Sequence, residues 1–140
     1  MRTDEIEVGT ALRAVRISAA FCVITALTLL AYSTLRAALL SFTFDESVTY
    51  LFYVIRGPLA AFDCFDANNH HLNTLLMTGT SWLFGTGHLA LRLPAVMAHG
   101  VYLVATWLLV RRLSGAFNMV AAFIVMNLSP LLVDFFSLAR

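Results

Sequence analysis

The sequence predicts an all-α integral membrane protein with three transmembrane helices and two short interfacial helices in its first external loop. Of the 140 residues, 60% are hydrophobic and 12% are charged. Soluble domains carry about 45–50% apolar and about 25% charged residues. Three stretches are also long, apolar and nearly free of charge, and the mean hydropathy is +0.82. A soluble fold of this length could not hide so much apolar surface, so lipid is the expected solvent.

The first spanning helix is predicted over 17–40, after a cytoplasmic N-terminal tail over 1–16. The run from Ile17 to Leu35 has 19 residues and no charge. A bilayer core about 30 Å thick needs about 20 helical residues. A secretory signal has an apolar core of only about 7–15 residues and a small-residue cleavage site. We therefore expect an uncleaved anchor helix.

The second spanning helix is predicted over 89–110, and a cytoplasmic turn follows over 111–115. Gly115 favours a tight reversal between this helix and the next. Arg92 lies near the start of the second helix, close enough to the interface for its long side chain to snorkel.

The third spanning helix, with its outer end, is predicted over 116–140. Pro130 interrupts its apolar run, and Asp134 follows. Orientation follows from the arginines, because cytoplasmic flanks carry an excess of them. The arginines that favour a cytoplasmic N-terminus are Arg13, Arg16, Arg111 and Arg112. We expect a multi-pass protein of the bacterial inner membrane.

The external loop over 41–88 is expected to hold the two interfacial helices, over about 44–56 and 71–84. Gly57–Pro58 is a stop signal for the first of them. The second has about 13 apolar-rich residues, too few to span a bilayer. Its leucines share one face and its threonines another, which is typical of a helix that lies in the membrane interface.

Asp45 and Glu46 are candidate site residues at the start of the first loop helix. The segment from Thr43 to Glu46 fits the capping box T-x-x-E. If Glu46 folds back onto the cap, Asp45 keeps its carboxylate free. Two interpretations stay open: acids that stabilise a helix N-terminus, or a general base held near a membrane-borne substrate.

A dense polar run, from Asp66 to His71, precedes the second loop helix. It is either a solvated turn with a helix cap, or a phosphate site made of imidazoles and amides at a helix N-terminus. A metal site is a third possibility. Adjacent histidines rarely ligate one ion from a helix, and we expect no metal site.

His99 lies near the middle of the second spanning helix. An intramembrane ionisable residue is a functional candidate by default, but a neutral histidine bonded to a neighbouring helix is the simpler interpretation. A transporter would need further polar residues along a path across the bilayer. Besides His99, the spans offer only Asn118 and Asn127.

Composition excludes several function classes. A net charge of +1 is incompatible with a polybasic nucleic-acid surface. Cys22, in the first span, and Cys64, in the loop, do not make a disulfide framework, and we expect the Cys22 thiol to be buried. A Gly-rich phosphate loop and a nucleophile elbow are both absent from the sequence, which disfavours cytosolic nucleotide chemistry.

The order of these parts resembles the N-terminus of GT-C membrane glycosyltransferases. After the anchor helix come FTFDESVTYLFYVIRG and NNHHLNTLLM, and then SWLFGTGHLALRLPAVMAHGVYLVATWLLVRRL. The pattern F-G-x-x-x-x-A-x-R-L-P-A, from Phe84 to Ala95, is the more specific element. The chain looks most like the family 39-like branch: protein O-mannosyltransferases, lipid A aminoarabinose transferases and lipopolysaccharide-modifying sugar transferases. The resemblance covers nearly the whole chain from Arg16 onward.

The resemblance implies an enzyme that moves a sugar from a polyprenyl-phosphate carrier to an acceptor hydroxyl on a glycolipid or protein at the outer membrane face. The transfer would invert the anomeric centre. Asp45 matches the family's first external acid, the general base, and Glu46 would support it. By position, Asn69, His70 and His71 would hold the donor phosphate.

Polar support for this site would come from Arg92, Asp134 and Arg140, and a divalent cation is possible, since relatives differ in this. The resemblance covers only the N-terminal portion of such enzymes, so we expect these 140 residues to be inactive alone. The alternative is a non-catalytic small membrane protein that binds lipid or a partner subunit.

Overall fold

The chain is helical and contains no strand over the residues that the computed structural model describes, which are 2–63, 70–113 and 115–139. Of residues 2–7 only the backbone is described. The α-helices are α1 (Arg2–Leu39), α2 (Phe44–Thr49), α3 (His71–Phe84), α4 (His88–Val110), α5 (Ala116–Asn127) and α6 (Pro130–Ser137). A π-helical segment, Tyr50–Val54, continues α2, and a 3-10 helix, Pro58–Phe62, follows it.

Two helices are long and apolar enough to cross a membrane, namely α1 over Val8–Leu39 and the whole of α4. This confirms the predicted membrane class. The expected tail over 1–16 is continuous with the first span, because α1 already begins at Arg2. With 38 residues, α1 is about 57 Å long, well beyond the thickness of a hydrocarbon core.

The third predicted span consists of two helices. The axes of α5 and α6 meet at 55°, so together they form either a broken span or a re-entrant loop. Pro130 begins α6, because proline lacks the N–H that would continue α5 and is well tolerated in the first turn of a new helix.

The distribution of polar and apolar side chains between surface and interior is the reverse of that in a soluble protein. Many large apolar side chains are exposed, whereas several polar ones are fully buried. The buried polar residues are Ser33, Glu46, Thr49, Thr74, Thr78, Arg92, His99, Thr106, Asn127 and Ser137. Extensive exposed apolar surface marks contact with lipid or with another protein, in agreement with the apolar spans.

The core of the bundle lies where α1, α4, α5 and α6 meet. Cys22 and Leu29 of α1 pack with Leu103 of α4 and Phe123 of α5 in one buried cluster. Cys22 is fully buried, as predicted, and is a free thiol. Cys64 lies outside the described residues.

The polar face of α3 points into the protein. Thr74 and Thr78 are buried, whereas Leu72 and Leu83 are 73% and 76% exposed. The predicted separation of threonines from leucines is therefore present, with the leucines outermost. Such a helix is suited to apolar surroundings, and it packs against α4 and the 3-10 helix.

A side chain of α4 donates to a carbonyl group that the break between α5 and α6 leaves without its helical donor. Met126 O would accept a bond from the N–H of residue 130 in a continuous helix, but residue 130 is proline. The hydroxyl of Tyr102 donates to Met126 O instead, at 2.8 Å. Asn127 Nδ2 also donates back to Phe123 O, one turn earlier in α5, at 2.8 Å. Apolar surroundings provide no water for the Met126 carbonyl, so a protein group must satisfy it.

Replacing Tyr102 by Phe should lower the free energy of unfolding by about 1–2 kcal/mol, because Met126 O then lacks a donor. Titration of micelles with sodium dodecyl sulfate, followed by circular dichroism, measures this loss. Tyr32→Phe is the matched control, since Tyr32 is half exposed and its hydroxyl accepts only a long bond from Arg36. Equal effects of the two substitutions would contradict the proposed role of Tyr102.

Candidate functional site

The first turn of α2 contains the predicted capping box. Thr43 Oγ1 accepts from the backbone N–H of Glu46 at 3.4 Å, and Glu46 Oε2 accepts from the N–H of Thr43 at 2.8 Å. Helices begin with N–H groups that have no partner inside the helix, and this reciprocal pair satisfies two of them. Glu46 is thus turned back toward the protein.

Arg92 of α4 meets Glu46 in the interior. Its Nε donates to Glu46 Oε1 and its Nη2 to Glu46 Oε2, both at 2.7 Å. Its remaining N–H groups bond to carbonyl oxygens at the end of α1: Ala37 O at 3.0 Å, Leu40 O at 2.7 Å and Ser41 O at 2.9 Å. All five N–H groups of the guanidinium are therefore used. The predicted snorkelling of Arg92 is wrong, because its side chain is 0% exposed.

The hydrogen-bond acceptor positions of Glu46 are likewise all occupied. Besides the two bonds from Arg92 and the bond from Thr43, its Oε1 accepts from the backbone N–H of Ala139 at 2.7 Å. A carboxylate has about four lone-pair positions, and all of them are filled. Glu46 thus joins α2, α4 and the segment after α6, and it has no acceptor position left for a substrate.

The charge state of Glu46 follows from these contacts. Burial by itself raises the pKa of Glu46, but the bonds from Arg92, Thr43 and Ala139 outweigh burial and lower its pKa below the ordinary value. The bidentate contact with an arginine, which is always charged, is the strongest of these bonds. Glu46 is therefore ionised at neutral pH.

Asp45 differs from its neighbour. It lies in the same first turn and is half-buried, and its carboxylate makes no hydrogen bond or ion pair with any residue of the described ranges. The helix N-terminus favours a negative charge there. The hydrogen bonds of Glu46 hold the backbone around Asp45 in place. The position of the unbonded Asp45 carboxylate is therefore constrained.

The predicted phosphate residues border a groove of about 480 Å³ between α3, α4 and α6. His70, His71 and Asn73 supply its polar side, and the His71 ring also lies against Phe62, with centroids 5.7 Å apart. Asn69 lies outside the described residues. Asp45 is not among the residues that line this groove, so the groove brings together His70 and His71 but does not include Asp45.

Asp134 is paired with an arginine that the sequence analysis had not linked to it. Arg36, at the outer end of α1, forms an ion pair with Asp134 of α6. Arg36 Nε also donates to Ser137 Oγ at 3.3 Å. This contact ties the ends of α1 and α6 together. Arg140, the other predicted support residue, lies outside the described residues.

Metal ligands are not grouped in the part of the chain that the structure describes. No three His, Cys, Asp or Glu side chains lie close enough there to hold an ion.

Sequence reasoning missed the partner of Glu46. The two residues of the pair are 46 positions apart, and the available signal was a charge inside an apolar helix, which is costly unless it is paired.

Comparison of the chain with protein-family models, curated proteins and solved structures finds no significant match.

Replacing Glu46 by Gln should lower the free energy of unfolding by about 3–5 kcal/mol, because the Arg92 charge is left buried without a counter-ion. Denaturant titration in micelles measures the loss. Asp63→Asn is the matched control: it breaks the Arg56–Asp63 pair, which is 59% and 50% exposed and is worth at most about 1 kcal/mol. Similar losses for the two variants would show that burial of the Glu46 pair does not matter.

The Glu46–Arg92 ion pair should also make the free energy of unfolding depend on pH. Because the pKa of Glu46 is lower in the folded state, its contribution is fully present above the ordinary glutamate pKa, about 4.3. It is lost as the pH falls through the lower folded value. Unfolding titrations from pH 7 to pH 3 should therefore show a decline below about pH 4.3 that is smaller in Glu46→Gln. An identical decline in both proteins would refute this assignment.

Proposed function

We propose that this chain is the N-terminal part of a family 39-like GT-C membrane glycosyltransferase. The enzyme transfers a sugar from a polyprenyl-phosphate donor to an acceptor hydroxyl, with Asp45 as the general base. One observation carries the proposal: among the described residues the Asp45 carboxylate has no partner, whereas the adjacent Glu46 has all its acceptor positions filled. Of the two adjacent acids, only Asp45 can take a proton from a substrate without breaking the fold.

The support under Asp45 favours a catalytic role. A general base must be held within hydrogen-bond reach of the proton that it removes. Glu46 anchors the first turn of α2 to Arg92, which in turn binds the end of α1. Arg92 therefore acts as a positioning residue and has no N–H left for the substrate.

The chemistry is a single displacement. Asp45 accepts the proton of the acceptor hydroxyl while that oxygen attacks the anomeric carbon. The bond from the anomeric carbon to the phosphate oxygen breaks, and the carrier phosphate leaves with the electron pair. One displacement inverts the configuration, whereas retaining glycosidases use two carboxylates and two displacements.

The donor is proposed to lie with its phosphate near His70 and His71. Imidazole N–H groups can donate to phosphate oxygens, and the apolar walls of the groove suit a prenyl chain. Asn69 belongs to the same segment and would add an amide donor. Asp134, which pairs with Arg36 at the end of α1, would contribute polar support, as would Arg140, and a divalent cation could assist the leaving phosphate.

The proposed orientation sets the N-terminus in the cytoplasm and the region 41–88 on the outer face of a bacterial inner membrane. In it, α2 and α3 are interfacial helices, and α5 with α6 makes a third, broken span. Exposed leucines on α3 support its contact with lipid, and the arginine distribution supports the direction. The acceptor would be a glycolipid or a protein at that face.

The test is Asp45→Asn in the native protein at its chromosomal locus. Mass spectrometry of cell-envelope glycolipids and glycoproteins compares wild type, a deletion strain and the variant. We expect the deletion to remove a pentose or hexose from one product, and Asp45→Asn to reproduce that loss, because an amide cannot accept the proton.

Asp63→Asn is the control, since it neutralises an exposed loop aspartate that is paired with Arg56, and it should leave the product intact. Immunoblots of the membrane fraction must show equal amounts of all variants. A full product in Asp45→Asn would refute the enzyme proposal. A deletion strain with an unchanged envelope would also refute it and would leave the alternative, a non-catalytic protein that binds lipid or a partner subunit.

A further inference from the structure

His99 combines one bonded and one unbonded nitrogen in the interior of the bundle. Its Nδ1 lies 2.8 Å from Ser33 Oγ of α1, which confirms the predicted bond to a neighbouring helix. Both side chains are 0% exposed. His99 Nε2 is buried as well, and it has no hydrogen-bond partner among the described residues.

The Ser33 hydroxyl indicates which nitrogen of His99 carries the proton. Ser33 Oγ lies within hydrogen-bond distance of two acceptors, Leu30 O at 3.1 Å and His99 Nδ1 at 2.8 Å. We assign its single proton to Leu30 O, and in that arrangement Ser33 Oγ accepts from His99, so Nδ1 is the donor. A neutral imidazole has only one N–H, which leaves Nε2 as a lone-pair acceptor. A buried acceptor without a donor costs about 1–3 kcal/mol, and a ligand that brings an O–H or N–H recovers that energy.

The groove between α3, α4 and α6 comes close to this acceptor. Ala95 lies one helical turn before His99, Ala98 directly precedes it, and both line the groove. Phe136 of α6 also lines the groove, and its ring stacks on the His99 ring with centroids 4.8 Å apart and planes 6° apart. Phe136 is thus in contact with the groove on one side and with His99 on the other.

The direction of Nε2 follows from the bond to Ser33. Nδ1 faces α1, and the two nitrogens of an imidazole point to well-separated sides of the ring. Nε2 is therefore directed away from α1. On α4, His99 stands between the face that packs on α1, which includes Leu103, and the face that lines the groove, which includes Ala95 and Ala98.

The geometry points to a binding site in which the groove continues past Phe136 to Nε2 of His99. We propose that its ligand is a protic amphiphile. The apolar chain lies along the walls, and an O–H or N–H group donates to Nε2 after the Phe136 ring turns aside. The volume of about 480 Å³ is within the usual range for small-molecule sites, about 300–1,000 Å³. The site shares the groove that is proposed for the donor's prenyl chain, but it is argued from His99 and Phe136 and not from sugar transfer, so it stands even if the proposed activity is wrong.

The test uses the full chain, labelled with ¹⁵N-histidine, in nanodiscs of phosphatidylcholine, whose headgroup has no O–H or N–H. The probes are dodecanol and dodecyl methyl ether, which share an apolar chain and differ in the O–H. We expect dodecanol to move the His99 Nε2 resonance saturably and the ether to leave it in place. Phosphatidylglycerol in the bilayer then tests whether a lipid headgroup hydroxyl produces the same shift as the free alcohol.

Two kinds of variant make the result specific. The Nε2 signal is assigned by its loss in His99→Gln, or by replacing the three other histidines with Asn if His99→Gln does not fold. Ala98→Phe should fill the groove and abolish the dodecanol shift. Val104→Phe, at an exposed position of α4, should retain it.

Three results would overturn the inference. The first is an Nε2 signal that is already that of a hydrogen-bonded acceptor without any probe, which would mean a buried water only. The second is an equal shift with alcohol and ether. The third is a dodecanol shift that survives Ala98→Phe.

Discussion

The contact between Glu46 and Arg92 is the constraint on which the rest of the structure depends. It joins the end of α1, the start of α2, the first half of α4 and the segment after α6. Every donor of the arginine and every acceptor position of the glutamate is engaged. Burying an ion pair costs desolvation free energy, and leaving one of its charges buried without the other costs more. These four segments are therefore held in one arrangement.

The same rule applies wherever a helix ends or breaks inside the bundle. Arg92 satisfies carbonyls at the end of α1, and Tyr102 satisfies the one that Pro130 leaves free. In apolar surroundings the backbone cannot bond to water, so side chains of neighbouring helices must take its place. Buried polar residues in this chain therefore work mainly as structural partners of the backbone, and those that do not are the ones to examine for function.

Two of the described groups that take no part in this network are the ones used in the proposals above. The carboxylate of Asp45 has no partner, and His99 Nε2 is a buried acceptor without a donor. They differ in kind. Asp45 stands at a helix N-terminus that the bonds of Glu46 hold in place, as the proposed general base requires. His99 lies under Phe136, which suits a ligand that enters through the groove.

The sequence by itself determined the membrane class, the bounds of α3, the start of α4 to within one residue and the capping box at Thr43. Each of these depends on composition, local periodicity or residues three positions apart. Only the tertiary structure decided that Arg92 turns inward to Glu46, that Arg36 pairs with Asp134 and that α5 and α6 meet at 55°. The members of these two pairs are 46 and 98 positions apart in the sequence, and a local sequence pattern does not predict contacts at that separation. Whether the Arg92 guanidinium snorkels or is buried depends on whether a carboxylate and unpaired backbone carbonyls lie within its reach. Only the packing of the helices determines that.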